Sequence, residues 1–131
     1  MRKEIEITIE QGRDAGKVFK IVAMPAVQTA RWVTKAMRLI GKDGGDILTI
    51  AQMSVYELLM SVIKGEEEAA ESLLDELLEC ASFKQDGVYV AMKGSMADSV
   101  IEDWLTVFRL RSEALKLNIG FLEQGGESTS T

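Results

Sequence analysis

The chain has 131 residues, 47% of them hydrophobic and 27% charged, which suits one globular domain with a single core. A net charge of −6 and a pI near 4.7 argue against a nonspecific nucleic-acid binder, whose domain should be basic. Histidine is absent, which removes the commonest general base, and the single cysteine, Cys80, cannot form an internal disulfide, so a reducing compartment is favoured.

The first residues, Met1-Arg2-Lys3-Glu4-Ile5-Glu6, alternate in charge and hold no apolar signal segment. No window approaches the ~18 consecutive apolar residues of a membrane span, so the expectation is a soluble, cytoplasmic chain with no membrane partner. Glu4 to Glu10 alternates with period two, isoleucines on one face and acids and threonine on the other, which predicts a half-buried strand. Gln11-Gly12-Arg13-Asp14-Ala15-Gly16 reads as a turn. Lys17 to Ala23 alternates again, with Phe19 and Ile21 opposite Val18, Lys20 and Val22, so residues 4–23 are expected to form a β-hairpin. A hairpin alone is marginal and must lie on something.

The only proline, Pro25, follows. It lacks an N–H and has a fixed φ, so it ends the second strand and opens a helix. That helix is expected over 26–40, with Ala26, Ala30, Val33, Met37 and Ile40 on its apolar face beside Trp32, Ala36 and Leu39. Gln28, Arg31, Lys35, Arg38 and Lys42 share another face as a basic stripe. Gly41-Lys42-Asp43-Gly44-Gly45 follows a helix rather than a strand, so it reads as a helix end and linker, not a phosphate loop. Asp43 and Asp46 lack the spaced acids of a calcium loop.

Residues 47–63 are apolar nearly all round, with Met53, Tyr56 and Met60 on the sides away from Leu58, Leu59 and Val62; such a helix is buried, by its own fold or by a partner. A further helix is expected over 66–81, opened by acids and lined by Glu68, Glu71, Asp75 and Glu79 as an acidic stripe. Cys80 reads as a small buried hydrophobe. Asp86-Gly87 marks a turn before a short extended run. A last helix is expected over 100–118, capped by Asp98 or Ser99, with Ile101, Trp104, Phe108 and Leu115 facing one way. Residues 123–131 are polar and expected to be a flexible tail. The sum is a mostly α (α+β) domain over 1–122, with about four helices and an N-terminal hairpin packed on them.

No nucleophile, base and oxyanion site can be assembled, no ligand set points to a metal, and no cofactor motif stands, so the chain reads as a non-enzyme. The two stripes are opposite in sign and similar in length. Arg31, Lys35 and Arg38 of one copy are therefore expected to face Glu68, Glu71 and Asp75 of another, a head-to-tail contact that builds rings or spirals. Such pairs set register more than strength. Met53, Tyr56, Met60, Trp104 and Phe108 are the candidate apolar partner surface, methionine being adaptable. The alternative is a small nucleic-acid-binding regulator using the Arg31–Lys42 stripe, which the acidic total disfavours.

Three segments, taken in order, carry a resemblance. They are Asp14-Ala15-Gly16-Lys17-Val18-Phe19-Lys20-Ile21 running into Met24-Pro25-Ala26 and Ala30-Arg31-Trp32; Glu68 through Cys80; and Ile101-Glu102-Asp103-Trp104 with Leu110 through Phe121. Together they resemble the tail assembly chaperones of long, flexible-tailed bacteriophages. The likeness covers most of the chain and departs at Gly41–Ile50 and Phe83–Lys93. Asn118 stands where the family leads one to expect histidine. The resemblance implies a protein of the infected bacterium's cytoplasm, absent from the finished virion, that coats and solubilises the tape-measure protein and recruits tail-tube subunits. It also implies a longer form made by ribosomal frameshifting, whose extension recruits the tube.

Overall fold

The computed structural model describes residues 2–41, 50 and 52–123. Strands β1 (Glu4–Thr8) and β2 (Val18–Val22) form the expected hairpin. Helices α1 (Ala26–Ile40), α2 (Val55–Ile63) and α3 (Glu67–Leu78) follow. Strands β3 (Ala81–Gln85) and β4 (Val88–Ala91), a short α4 (Met96–Val100) and the long α5 (Trp104–Glu123) complete an α+β fold.

The sheet is a correction to the sequence reading. It has four antiparallel strands in the order β1-β2-β3-β4, so Phe83–Lys93 supplies a second hairpin. Its turn is Asp86-Gly87, both at positive φ, the geometry an Asp-Gly pair provides between right-twisted strands. Phe19 and Phe83 meet on the inner face with ring centroids 5.5 Å apart. The outer face is polar: Lys20 lies over the Tyr89 ring, whose hydroxyl donates to Glu6.

The inner sheet face and the helices share one core containing Phe19, Ile21, Trp32, Leu59, Leu73, Leu77, Leu110 and Leu115. Helix α5 touches β2, α2 and α3, and so joins the sheet to the helical layer. Several helix bounds move. Helix α2 begins behind Ser54, which makes a capping box with Glu57: the Ser54 hydroxyl accepts from the Glu57 amide at 3.0 Å, and the Glu57 carboxylate accepts from the Ser54 amide at 2.9 Å. Of the expected 47–63 helix, residues 47–49 and 51 lie outside the described residues, as do 42–46 and the tail residues 124–131.

The 66–81 helix stops at Leu78, because Ala81 pairs with Ile21 as the first residue of β3. The 100–118 helix divides at Ile101–Asp103 and restarts at Trp104, so neither Asp98 nor Ser99 caps it. Helix α5 then runs on to Glu123, the first residue assigned to the tail. On α1, Trp32 and Ala36 are buried whereas Ala26 and Ala30 are exposed: the core-facing side is centred on Trp32, a quarter-turn from the stripe of the sequence reading.

Candidate assembly surface

Pro25 is the N-cap of α1, with φ −58° and ψ 152°, and its carbonyl accepts the first helical bond from Thr29 at 2.9 Å. The preceding amide, Met24 N–H, donates to the buried Asn118 Oδ1 at 2.8 Å, while Asn118 Nδ2 donates to the Ala114 carbonyl at 2.8 Å. The strand-to-helix junction is thereby tied to the last helix. Asn118 is a structural bracket, which no local sequence signal announces.

In sequence Asp14 is only a turn residue, yet it is fully buried. Its carboxylate accepts from Lys17 Nζ at 2.8 Å, from Thr106 Oγ1 at 2.6 Å and from the Glu102 and Asp103 amides at 3.0 Å each. Burial pushes its pKa up, but the Lys17, Thr106 and two backbone hydrogen bonds outweigh it and hold the carboxyl at about 2. The loop closes tightly: a Cβ on Gly12, at φ +84°, would lie 2.4 Å from Asp103 Oδ2. Asp14 thus takes up the free amides preceding α5 and fixes where that helix begins.

That start carries an exposed apolar pair, Trp104 at 74% and Leu105 at 54%. Trp104 shares the stripe of Leu115, as expected, but the stripe outruns the core: Leu115 is buried and Trp104, ~16 Å nearer the helix start, is in water. Of the other apolar candidates, Tyr56 is exposed at 63%, Met60 is half-buried, and Met53 and Phe108 pack partly against the core.

The stripes lie on α1 and α3, which pack together. The Trp32 indole donates to the Leu73 carbonyl at 3.1 Å and locks that contact. Gln28 and Lys35 both reach Glu76, Lys35 at 3.1 Å, and an open cleft of about 560 Å³ is lined by Lys35, Arg38, Leu39, Glu66, Ala69 and Ser72. Asp75 pairs with Arg111 at 3.8 Å, and Arg111 also donates to the Leu74 carbonyl at 3.1 Å. Two of the six candidates are therefore engaged within the chain. Arg31, Arg38, Glu68 and Glu71 are exposed and make no ion pair among the described residues. The stripes run side by side rather than on opposite sides of the molecule. Lys42, at the end of the basic stripe, lies outside the described residues.

Glu66 caps α3, accepting from the Glu68 and Ala69 amides, which lowers its pKa. Burial raises the pKa of Cys80, which Asn118 approaches through an N–H···S contact at 3.8 Å. Its thiol is unsuited to nucleophilic chemistry at neutral pH. Among the described residues no group of acids or cysteine could hold a metal ion, and no helix is long and apolar enough to cross a membrane. Comparison with protein-family models, with curated proteins and with solved structures finds no match to this chain.

Proposed function

We propose that this chain is a phage tail assembly chaperone, acting in the host bacterial cytoplasm and absent from the mature virion. It coats and solubilises the tape-measure protein and recruits tail-tube subunits, the latter through a longer frameshifted form. The observation that carries the reading is Tyr56, a large aromatic exposed at 63% on α2, with Trp104, exposed at 74% at the start of α5, a second. Aromatic side chains in that setting are typical binding anchors, and a long partner with apolar stripes needs such anchors repeated over many copies. The resemblance across three segments of the chain supplies the identity of the partner.

Self-association belongs to the same reading. Arg31 and Arg38, which make no ion pair among the described residues, stand beside Glu68 and Glu71 and give one copy a charged ridge that a second copy can complement. Because the two ridges are neighbours, pairing through both of them brings copies together about a two-fold axis. A head-to-tail array needs further contacts at separated points of the surface. The acidic ridge beside the basic one also favours this reading over nucleic-acid binding, since it weakens the positive field a phosphate backbone would meet.

Co-expression of the tagged chain with the tape-measure protein of its own gene cluster tests the proposal. Solubilisation and co-elution in many-to-one ratio are expected. A tape measure that stays insoluble while the chain elutes alone overturns it.

A further inference from the structure

The two ends of α5 carry surfaces that fit one another but cannot meet within one chain. At its start stand Trp104 and Leu105. Near its end, an open cleft of about 480 Å³ lies between α5 and the start of α1, with Met24, Ala30, Val33 and Leu117 among its apolar lining. At 1.5 Å per residue, Trp104 and Leu117 are roughly 20 Å apart along a continuous helix. We propose that Trp104 and Leu105 of one copy seat in this cleft of a second copy.

Three observations favour a second copy as the occupant. First, the cleft is large enough for an indole and its neighbour, and apolar enough to reward their burial. Second, the charged residues lining the cleft are Arg2 and Lys3, both cationic and exposed, and neither has an ion-pair partner among the described residues. The knob is flanked by Glu10, Glu102 and Asp103 against Arg13 and Arg109, with Lys17 shared between Asp14 and Glu102, a small acidic excess that complements them. Third, residues 124–131 (Gln-Gly-Gly-Glu-Ser-Thr-Ser-Thr), which follow α5, contain no apolar side chain that would compete for the cleft.

The contact is heterologous, since one copy gives the knob and the other the cleft, which leaves the first copy's cleft and the second copy's knob free. It thus provides the separated contact points that the side-by-side charged ridges lack. A few side chains bury less than the ~1,200 Å² of a stable interface, so association rises with concentration rather than being permanent. The inference rests on the self-association in the proposed function but not on the tape measure, and the two fail separately: one is read from the chain alone, the other from co-expression.

Sedimentation velocity over a concentration series, with acrylamide quenching of tryptophan, tests it. Trp32 is buried, so quenching reports Trp104 and should fall as the mass rises. Trp104→Ala and Ala30→Glu should each weaken association about thirtyfold or more. Arg2→Glu with Lys3→Glu, outside any helix, serves if Ala30→Glu does not fold. The decisive step is mixing: Trp104→Ala keeps its cleft and Ala30→Glu keeps its knob, so together they should form one-to-one pairs and nothing larger. The proposal is overturned by a wild-type chain that stays monomeric, by either variant associating as wild type, or by a mixture that stays monomeric. A Trp104→Ala chain that self-associates normally but no longer solubilises the tape measure would make the tape measure the occupant instead, and would overturn it too.

Discussion

At its start α5 is held by a carboxylate from the β1–β2 loop; near its end it is α5 that holds, gripping the Met24 amide through Asn118. Both attachments are buried side chains contacting backbone far away in sequence, and beside each lies apolar surface that the chain itself leaves open. They differ in charge. Asp14 is an anion with a counter-ion, Lys17, and three further donors; Asn118 is neutral. Fixed polar groups inside thus position incomplete apolar groups outside, and the charged attachment should be the stronger.

Asp14→Asn breaks the comparison at its strongest point. The amide nitrogen would face donors, and Lys17 would lose its buried partner, so a loss of about 2–4 kcal/mol is expected by urea unfolding at neutral pH. The sign with pH follows from the lowered pKa, about 2 folded against 3.8 for a free aspartate. The unfolded chain takes up the proton first as pH falls, so the carboxylate's contribution is full above pH ~4 and is lost between ~4 and ~2. Wild type and variant should therefore converge toward pH 2. Curves that stay equally far apart would show that the charge is not what stabilises.

Asn118→Ala should cost less, about 1–3 kcal/mol, because an unpaired neutral amide is cheaper to bury than an unpaired charge. The expected local sign is faster hydrogen exchange at Met24, with the Glu102 and Asp103 amides unchanged. If exchange quickens equally at both ends of α5, the two attachments are one cooperative unit and the comparison falls.

Much of this fold is legible in the sequence, and the missed parts share a cause. Period-two alternation gives β1 and β2, and Pro25 gives the start of α1, because these signals are local. The capping box at Ser54 and Glu57 is equally local but is masked by a continuous apolar run. The second hairpin was half legible: Asp86-Gly87 announces a turn, but β3 is a strand because Ala81, Ser82 and Phe83 find β2, a contact across three helices. Asp14 illustrates the limit for the site. In sequence it is an acid in a glycine-rich turn, and only Thr106 and the amides before α5, some 90 positions away, make it a buried anchor. Periodicity places Trp104 on a face but not at a height along the helix, and height decides its exposure.

The smallest effect sharpens the comparison most, because it uses the same lysine. Lys17 Nζ lies 2.8 Å from buried Asp14 and 3.8 Å from Glu102, whose carboxylate is 65% exposed. Glu102→Gln removes a charge that water already screens, and it leaves intact the Glu102 amide that donates to Asp14 at 3.0 Å. A change below about 0.5 kcal/mol is expected in the same urea unfolding experiment. If Glu102→Gln instead costs as much as Asp14→Asn, the anchor is a shared charge network around Lys17 rather than a carboxylate holding the start of a helix. The position of Trp104 would then depend on the charges in the loop and should shift with salt, which the backbone-held arrangement forbids.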